Sequence, residues 1–312
     1  MNWSKRGLIY APDGRLEWSV SHAQIPVADE TDEGRLRVYF STRDAAGRSR
    51  PAYVEVEADD PARVLYVHEE PLLPLGEPGA FDDSGIMPFS VVGRGSEKHL
   101  YYVGWSRGGT VPYHQAIGLA VSRDGGRSFE KYSDGPVCDR SVEEPFFCTA
   151  PSVMACGNIT KMWYVSCTGW ELIGDKFEPF YLVKYAESED GVSWRMTGRV
   201  CVGYDDFTQA IGRPFVTRGG EGLYRMFYSF RSAKGYRTDP TQSYRIGYAE
   251  SSDGLSWTRK DEEVGVTRSL EGWDSEMIAY CHVYERGGET YMLYNGNGFG
   301  RTGFGYAVLE RE

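Results

Sequence analysis

Three carboxyl groups in this sequence could move protons: Asp83, Glu144 and Glu276. Glycoside chemistry needs two carboxyls flanking a sugar, about 5–5.5 Å apart for retention and about 6.5–9.5 Å for inversion. A second set, Arg43, Arg213 and Arg231, offers planar guanidinium forks suited to a carboxylate or a phosphate. Together they would hold an anionic sugar, a phosphate nucleophile or a sugar nucleotide. Trp105 and Trp170 could stack on a sugar face, and His22, Gln24, Asp274 and Asn297 could supply hydrogen bonds. Each candidate has a plainer role open to it. Glu144 precedes Pro145 and could be a solvated loop acid, Asp83 could cap a turn, and the arginines could simply neutralise the acids.

These residues can converge only if the chain brings distant segments together, and an internal repeat says how. A Pro-containing step recurs at Pro26, Pro88, Pro151 and Pro214, at intervals of 62, 63 and 63 residues. A fifth copy has lost its proline but keeps its frame at Cys281-His282-Val283, 67 residues on. Such a period is one supersecondary unit copied round a ring or along a stack. An aromatic run follows each step: Leu36–Phe40, Leu100–Val103, Met162–Val165, Tyr224–Tyr228 and Tyr291–Tyr294. Short runs of aromatic and β-branched residues bounded by Gly, Ser or Asn predict strands.

In the middle repeats a further strand enters a Ser-x-Asp-Gly turn at Asp124, Asp190 and Asp253. Asp-Gly marks a hairpin, and recurrence at equivalent places marks these aspartates as turn formers. Four antiparallel strands per unit is the make-up of a propeller blade. The expectation is therefore an all-β, five-bladed β-propeller with four-stranded antiparallel blades around a central channel. It would be one domain over residues 1–312, with Gly7–Tyr10 pairing near Phe304–Val308 to close the ring.

Inner strands line such a channel, so residues before each Pro step and after each aromatic run should face one another. Five positions before the step the repeats carry Ser21, Asp83, Phe146, Gln209 and Glu276. After the aromatic run come Arg43, Trp105, Trp170, Arg231 and Asn297. Dissimilar residues at equivalent places are what an asymmetric site on a symmetric scaffold requires.

A net charge of −11 argues against a nucleic-acid or anionic-membrane partner. Residues 1–7 lack the apolar core of a signal peptide, no apolar run reaches membrane-spanning length, and the six cysteines show no CxxC spacing. The expectation is a cytoplasmic protein with reduced thiols, no metal and no cofactor.

The repeated Tyr-Ala-Glu-Ser-x-Asp-Gly-x-Ser-Trp, the aromatic inner strands and the five-unit count resemble the five-bladed propeller glycosidases, glycoside hydrolase families 43, 32, 117 and 130, the last containing mannoside phosphorylases. The resemblance covers nearly the whole chain, though its clearest motifs are structural. Phe81-Asp-Asp-Ser-Gly-Ile86 resembles a segment that in such proteins carries a catalytic or sugar-binding Asp, which maps onto Asp83. The first repeat departs from families 43 and 32: Ser21-His-Ala-Gln-Ile-Pro26 has no acid where they place one.

The resemblance implies an enzyme acting on a glycosidic bond of a small, possibly anionic carbohydrate, foremost a glycoside hydrolase using Asp83, Glu144 and Glu276. Phosphorylase or glycosyltransferase chemistry with an anionic cosubstrate is the alternative. A non-catalytic sugar-binding propeller and a biosynthetic enzyme of another class, such as a lyase or cyclase, also stay open.

Overall fold

The computed structural model describes residues 1–31 and 33–310, and they are almost wholly β-structure. The strands form one four-stranded and two eight-stranded sheets, and each eight-stranded sheet is two antiparallel groups of four joined by one parallel contact, Ser49 with Gly85 or Tyr181 with Ala210. With β1 (Trp3–Tyr10) set aside, the first group is β2 (Ser21–Glu30), β3 (Arg35–Arg43), β4 (Ser49–Glu57) and β5 (Val64–Val67). Next come β6 (Gly85–Arg94), β7 (Glu97–Arg107), β8 (Tyr113–Ser122) and β9 (Glu130–Lys131). A third holds β10 (Cys148–Cys156), β11 (Ile159–Ile173), β12 (Lys176–Ser188) and β13 (Arg195–Val202). A fourth holds β14 (Ala210–Arg218), β15 (Tyr224–Arg231), β16 (Arg245–Ser251) and β17 (Thr258–Arg259). The last, β18 (Ala279–Arg286), β19 (Glu289–Asn295) and β20 (Phe304–Leu309), is completed by β1, with Gly7 opposite Tyr306 and Tyr10 opposite Phe304. That is the pairing expected from the sequence.

Apolar layers join each group to the next. Val27 and Tyr39 pack with Leu100 and Tyr102; Tyr101 and Leu119 with Met162 and Tyr164; Trp163 and Tyr185 with Met226 and Tyr228. Phe227 and Tyr248 pack with Met292 and Tyr294, and Leu293 and Phe304 return to Val38 and Phe40. The aromatic runs are thus the mortar between sheets, which explains their density.

The Ser-x-Asp-Gly turns clasp neighbours. Tyr39 Oη donates to Gly126 O (2.7 Å), Tyr101 Oη to Gly191 O (2.8 Å) and Trp163 Nε1 to Gly254 O (2.7 Å). Gly126 has a φ of 86°, and a Cβ there would run into Tyr39 Oη, so glycine is needed for both backbone and space. The backbone N–H groups of Ser193 and Val192 hold the Asp190 carboxyl well below the usual range, as befits a turn former.

A buried acid, a tyrosine and a cation recur in successive groups. Asp82 accepts from Tyr102 Oη (3.1 Å) and pairs with Lys131 (2.6 Å). Glu144 accepts from Tyr164 Oη (2.7 Å) and Ser166 and pairs with Lys184 (2.8 Å). Asp261 accepts from Tyr228 and pairs with Arg259 (2.6 Å), and Asp274 accepts from Tyr294 Oη (3.0 Å) and pairs with Lys5 (2.6 Å). The first group carries Phe40 at the tyrosine's place and has no hydroxyl to offer. Two expectations meet a correction here: Glu144 and Asp274 are enclosed, compensated members of a repeated lock and do not face the channel. An ionised carboxylate can be buried only with such compensation.

Candidate functional site

Each Pro step is a β-bulge. Register breaks fall between Gln24 and Val27, Pro88 and Ser90, Thr149 and Ser152, Gly212 and Phe215, and Ala279 and His282. Proline has no N–H for the ladder, so the step suits an inner edge. In four copies the residue before the step takes the left-handed conformation: Ile25 (φ 60°), Ala150 (50°), Arg213 (49°) and Tyr280 (57°). For a branched residue such as Ile25 this costs about 1–3 kcal/mol. The neighbouring group steadies several bulges: Asn295 Oδ1 accepts from Ile25 N–H (3.1 Å), Ser152 Oγ from Val216 N–H (3.0 Å) and Ser229 Oγ from Tyr280 N–H (2.8 Å). The bulge re-aims one side chain per group toward the axis, and Ile25, Met87, Ala150, Arg213 and Tyr280 all line one cavity of about 430 Å³.

Four guanidinium groups face this cavity, Arg43, Arg213, Arg231 and Arg237, and no Asp or Glu lines it among the described residues. Tyr113, Tyr181, Tyr236, Tyr244 and Tyr280, with Trp105, supply aromatic walls. The arginines differ in what holds them. Arg231 is fully committed. Its Nε donates to Tyr244 Oη (3.2 Å), one Nη to Ser232 O (2.9 Å), and the other lies 3.9 Å from Glu178. The rings of Tyr236, Tyr181 and Tyr244 surround it at 3.7, 5.5 and 5.6 Å. Glu178, just behind the wall, also accepts from Tyr236 Oη (2.7 Å) and Arg237 Nε (3.4 Å).

Arg213 is 1% exposed and has no carboxylate within 4.0 Å among the described residues. Among the described residues its only partners are long contacts of 3.4 Å to Pro214 O and Pro26 O and the faces of Phe89 and Phe215 at 5.4 and 5.9 Å. Its Nε has no partner. Burial pulls its pKa down, with no acid to offset that. Arg43 likewise has no acid partner and an unpartnered Nε, and burial and the charge of Arg237 lower its pKa. Glu178 is shared between Arg237 (3.4 Å) and Arg231 (3.9 Å), which leaves Arg43 and Arg213 without a carboxylate among the described residues.

Of the expected site residues, Arg43, Arg213, Arg231, Trp105 and Gln24 line this cavity, and Gln24 Oε1 has no partner among the described residues. The other expected site residues lie elsewhere. Asp83 caps a turn, accepting from Gly79 N–H (2.9 Å) and Ser84 Oγ (2.7 Å). Glu276 is exposed. Asn297 pins its loop by accepting from the N–H groups of Glu276 (2.7 Å) and Met277 (3.1 Å). Trp170 stands behind the wall, edge-on to Tyr113 and Phe147 at 5.2 and 5.8 Å. His22 is paired with Ser21 Oγ (2.8 Å), and burial, then Arg43 and Arg301, push its pKa down to about 4.

Sequence reasoning missed Arg237, Tyr236 and Glu178. A signal existed for the first two: the interval from Pro214 to Cys281 exceeds the others, and the loop carrying Tyr236 and Arg237 lies inside it.

No helix among the described residues is long and apolar enough to cross a membrane, and all six cysteines are unpaired. No protein-family model matches the sequence. Among solved structures, the chain is similar to a glycoside hydrolase, with a TM-score of 0.72 at 16% identity, covering 98% of this chain and 90% of that one. It is similar to a glycosyl hydrolase from Bacteroides ovatus, TM-score 0.70 at 16% identity, covering 99% and 94%. A third structure comes from the family-130 mannoside phosphorylases that contain glycoside hydrolases targeting β-1,2 mannosidic linkages in Candida mannan, TM-score 0.68 at 17% identity, covering 99% and 94%. These likenesses show that the chain shares its fold with those structures. In sequence, the uncharacterized protein Rv1502 of Mycobacterium tuberculosis (strain ATCC 25618 / H37Rv) is 40% identical over 313 residues, 99% of this chain and 100% of its own length. The uncharacterized protein MT1551 of strain CDC 1551 / Oshkosh matches to the same extent. The chain belongs to the family of these Mycobacterium tuberculosis proteins.

Proposed function

We propose that the chain is a single five-bladed propeller whose axial cavity binds an anionic carbohydrate, and that it is a carbohydrate-active enzyme. The strand groups and their cyclic packing support the blade count. One observation carries the functional reading. Arg213 is buried, without a counter-ion, on the wall of a cavity that no carboxylate lines among the described residues. A charge so placed is costly unless something pairs with it, and a ligand's phosphate or carboxylate would do so.

The reaction this favours is glycosyl transfer to or from a phosphate-type group, with the arginines stabilising charge on the leaving or attacking oxygen. Hydrolysis by Asp83, Glu144 and Glu276 has less support, because none of the three lines the cavity. The unpaired cysteines support a reducing, cytoplasmic setting. The test is calorimetric titration with inorganic phosphate, glucose 1-phosphate and glucose. The two anions should bind and glucose should bind far more weakly. Equal affinity for glucose and its phosphate would sink the proposal. Binding without turnover of any sugar phosphate or sugar nucleotide would leave a sugar-binding protein in place of an enzyme.

A further inference from the structure

The guanidiniums of the cavity differ in exposure and in how many of their N–H groups are engaged. Arg213 lies at the floor, 1% exposed, between the Phe89 and Phe215 rings. Arg237 is near the mouth, its side chain 48% exposed, and of its guanidinium only Nε is engaged, by Glu178. Arg43 also lines the cavity and is only half-buried, with no hydrogen bond from its guanidinium among the described residues. Arg231 is the most engaged of the four: its Nε and one Nη have protein acceptors, the other Nη lies 3.9 Å from Glu178, and the Tyr236 ring stacks on it.

We propose that the cavity takes a ligand with two phosphate-type groups, one at Arg213 on the floor and one between Arg43 and Arg237 at the mouth. The inference rests on the anionic-ligand reading above and names the class within it: a diphosphate, or a sugar carrying phosphates at two positions. Each guanidinium offers a planar fork to phosphate oxygens. A single phosphate can meet one end only and leaves the other end's charge unpaired. The Phe89 and Phe215 rings flank Arg213, so the group bound there is terminal, and Trp105 and Tyr113, which line the same cavity, offer apolar surface to the organic body.

The experiment compares inorganic phosphate, pyrophosphate and glucose 1,6-bisphosphate by titration calorimetry on the full-length protein. At least one two-group ligand should bind ten-fold or more tightly than phosphate. A gain with pyrophosphate assigns adjacent groups, and a gain with the bisphosphate alone assigns separated ones. In Arg43→Met or Arg237→Met the advantage over phosphate should shrink toward one. In Arg213→Met affinity for phosphate itself should fall at least ten-fold. Melting temperatures guard against misfolding, and Arg213→Gln is the fallback if the Met variant does not fold. If phosphate binds but neither two-group ligand gains, or if Arg43→Met weakens all three ligands by one common factor, this proposal is overturned and the anionic-ligand reading survives. If no anion binds, both fall.

Discussion

Within the strand groups, Asp82, Glu144 and Asp274 each have a lysine ammonium and a tyrosine hydroxyl in contact. On the axis, Arg213 and Arg43 have no such partner. Both regions bury charge in one chain, yet the first is balanced in the folded protein and the second is not. Balanced charge serves the fold: it ties a loop to a strand. Unbalanced charge strains the fold unless a ligand completes it. Burial alone therefore separates no functional residue from a structural one, whereas burial without a partner does.

The strongest way to break the comparison is to unbalance a lock. Lys184→Met would leave Glu144 buried with only Tyr164 and Ser166. A loss of about 3–5 kcal/mol is expected, read by urea unfolding; a loss under 1 kcal/mol would show the pair to be dispensable. Arg213→Met should do the reverse. Stability should hold or rise by about 1 kcal/mol, while sugar-phosphate affinity falls by about 2 kcal/mol or more. A matching loss of stability would mean the fold relies on Arg213. Tyr164→Phe, which removes one hydrogen bond to a charged group, should cost about 1.5–3 kcal/mol and leave anion affinity within two-fold.

Asp83→Asn and Glu276→Gln sharpen the comparison from the surface. Each should change stability by no more than about 0.5 kcal/mol and leave phosphate affinity within two-fold. Loss of turnover on a sugar phosphate with binding intact would restore these acids to catalysis. The smallest effect concerns His22. Its folded pKa of about 4 lies below the usual 6.5, so as pH falls from 6.5 toward 4 the unfolded chain takes up a proton that the folded chain refuses. Its contribution to stability should be full above pH 6.5 and decline across that window. His22→Gln should flatten the pH profile of the melting temperature there.

Much of the fold was legible because it repeats. Intervals of 62 and 63 residues, aromatic runs and Asp-Gly turns are periodic signals, and periodicity survives divergence of individual residues. The Pro step was visible too, but not its purpose. A bulge with a left-handed residue at Ile25 or Tyr280 cannot be read from residue type, since both are ordinary strand formers. The site was half legible. Arg43, Arg213 and Trp105 follow from the repeat alignment. Glu144 and Asp274 misled because their places looked unique until Lys5, Lys131 and Lys184, distant in sequence, disclosed the lock. Tyr236 and Arg237 belong to an inserted loop, where no repeat offers a guide.

The pairing of β1 with β20 bears on how the protein is made. Trp3 is the register partner of Leu309, so β1 cannot pair until β20, far later in the chain, is in place. Until then β20 and β1 each present a bare edge, an invitation to pair with another chain. Contacts so distant in sequence form slowly. The hazardous interval in this protein's folding is therefore the wait for that pairing, and a chaperone that shields the bare edges would raise its yield more than a better-packed core.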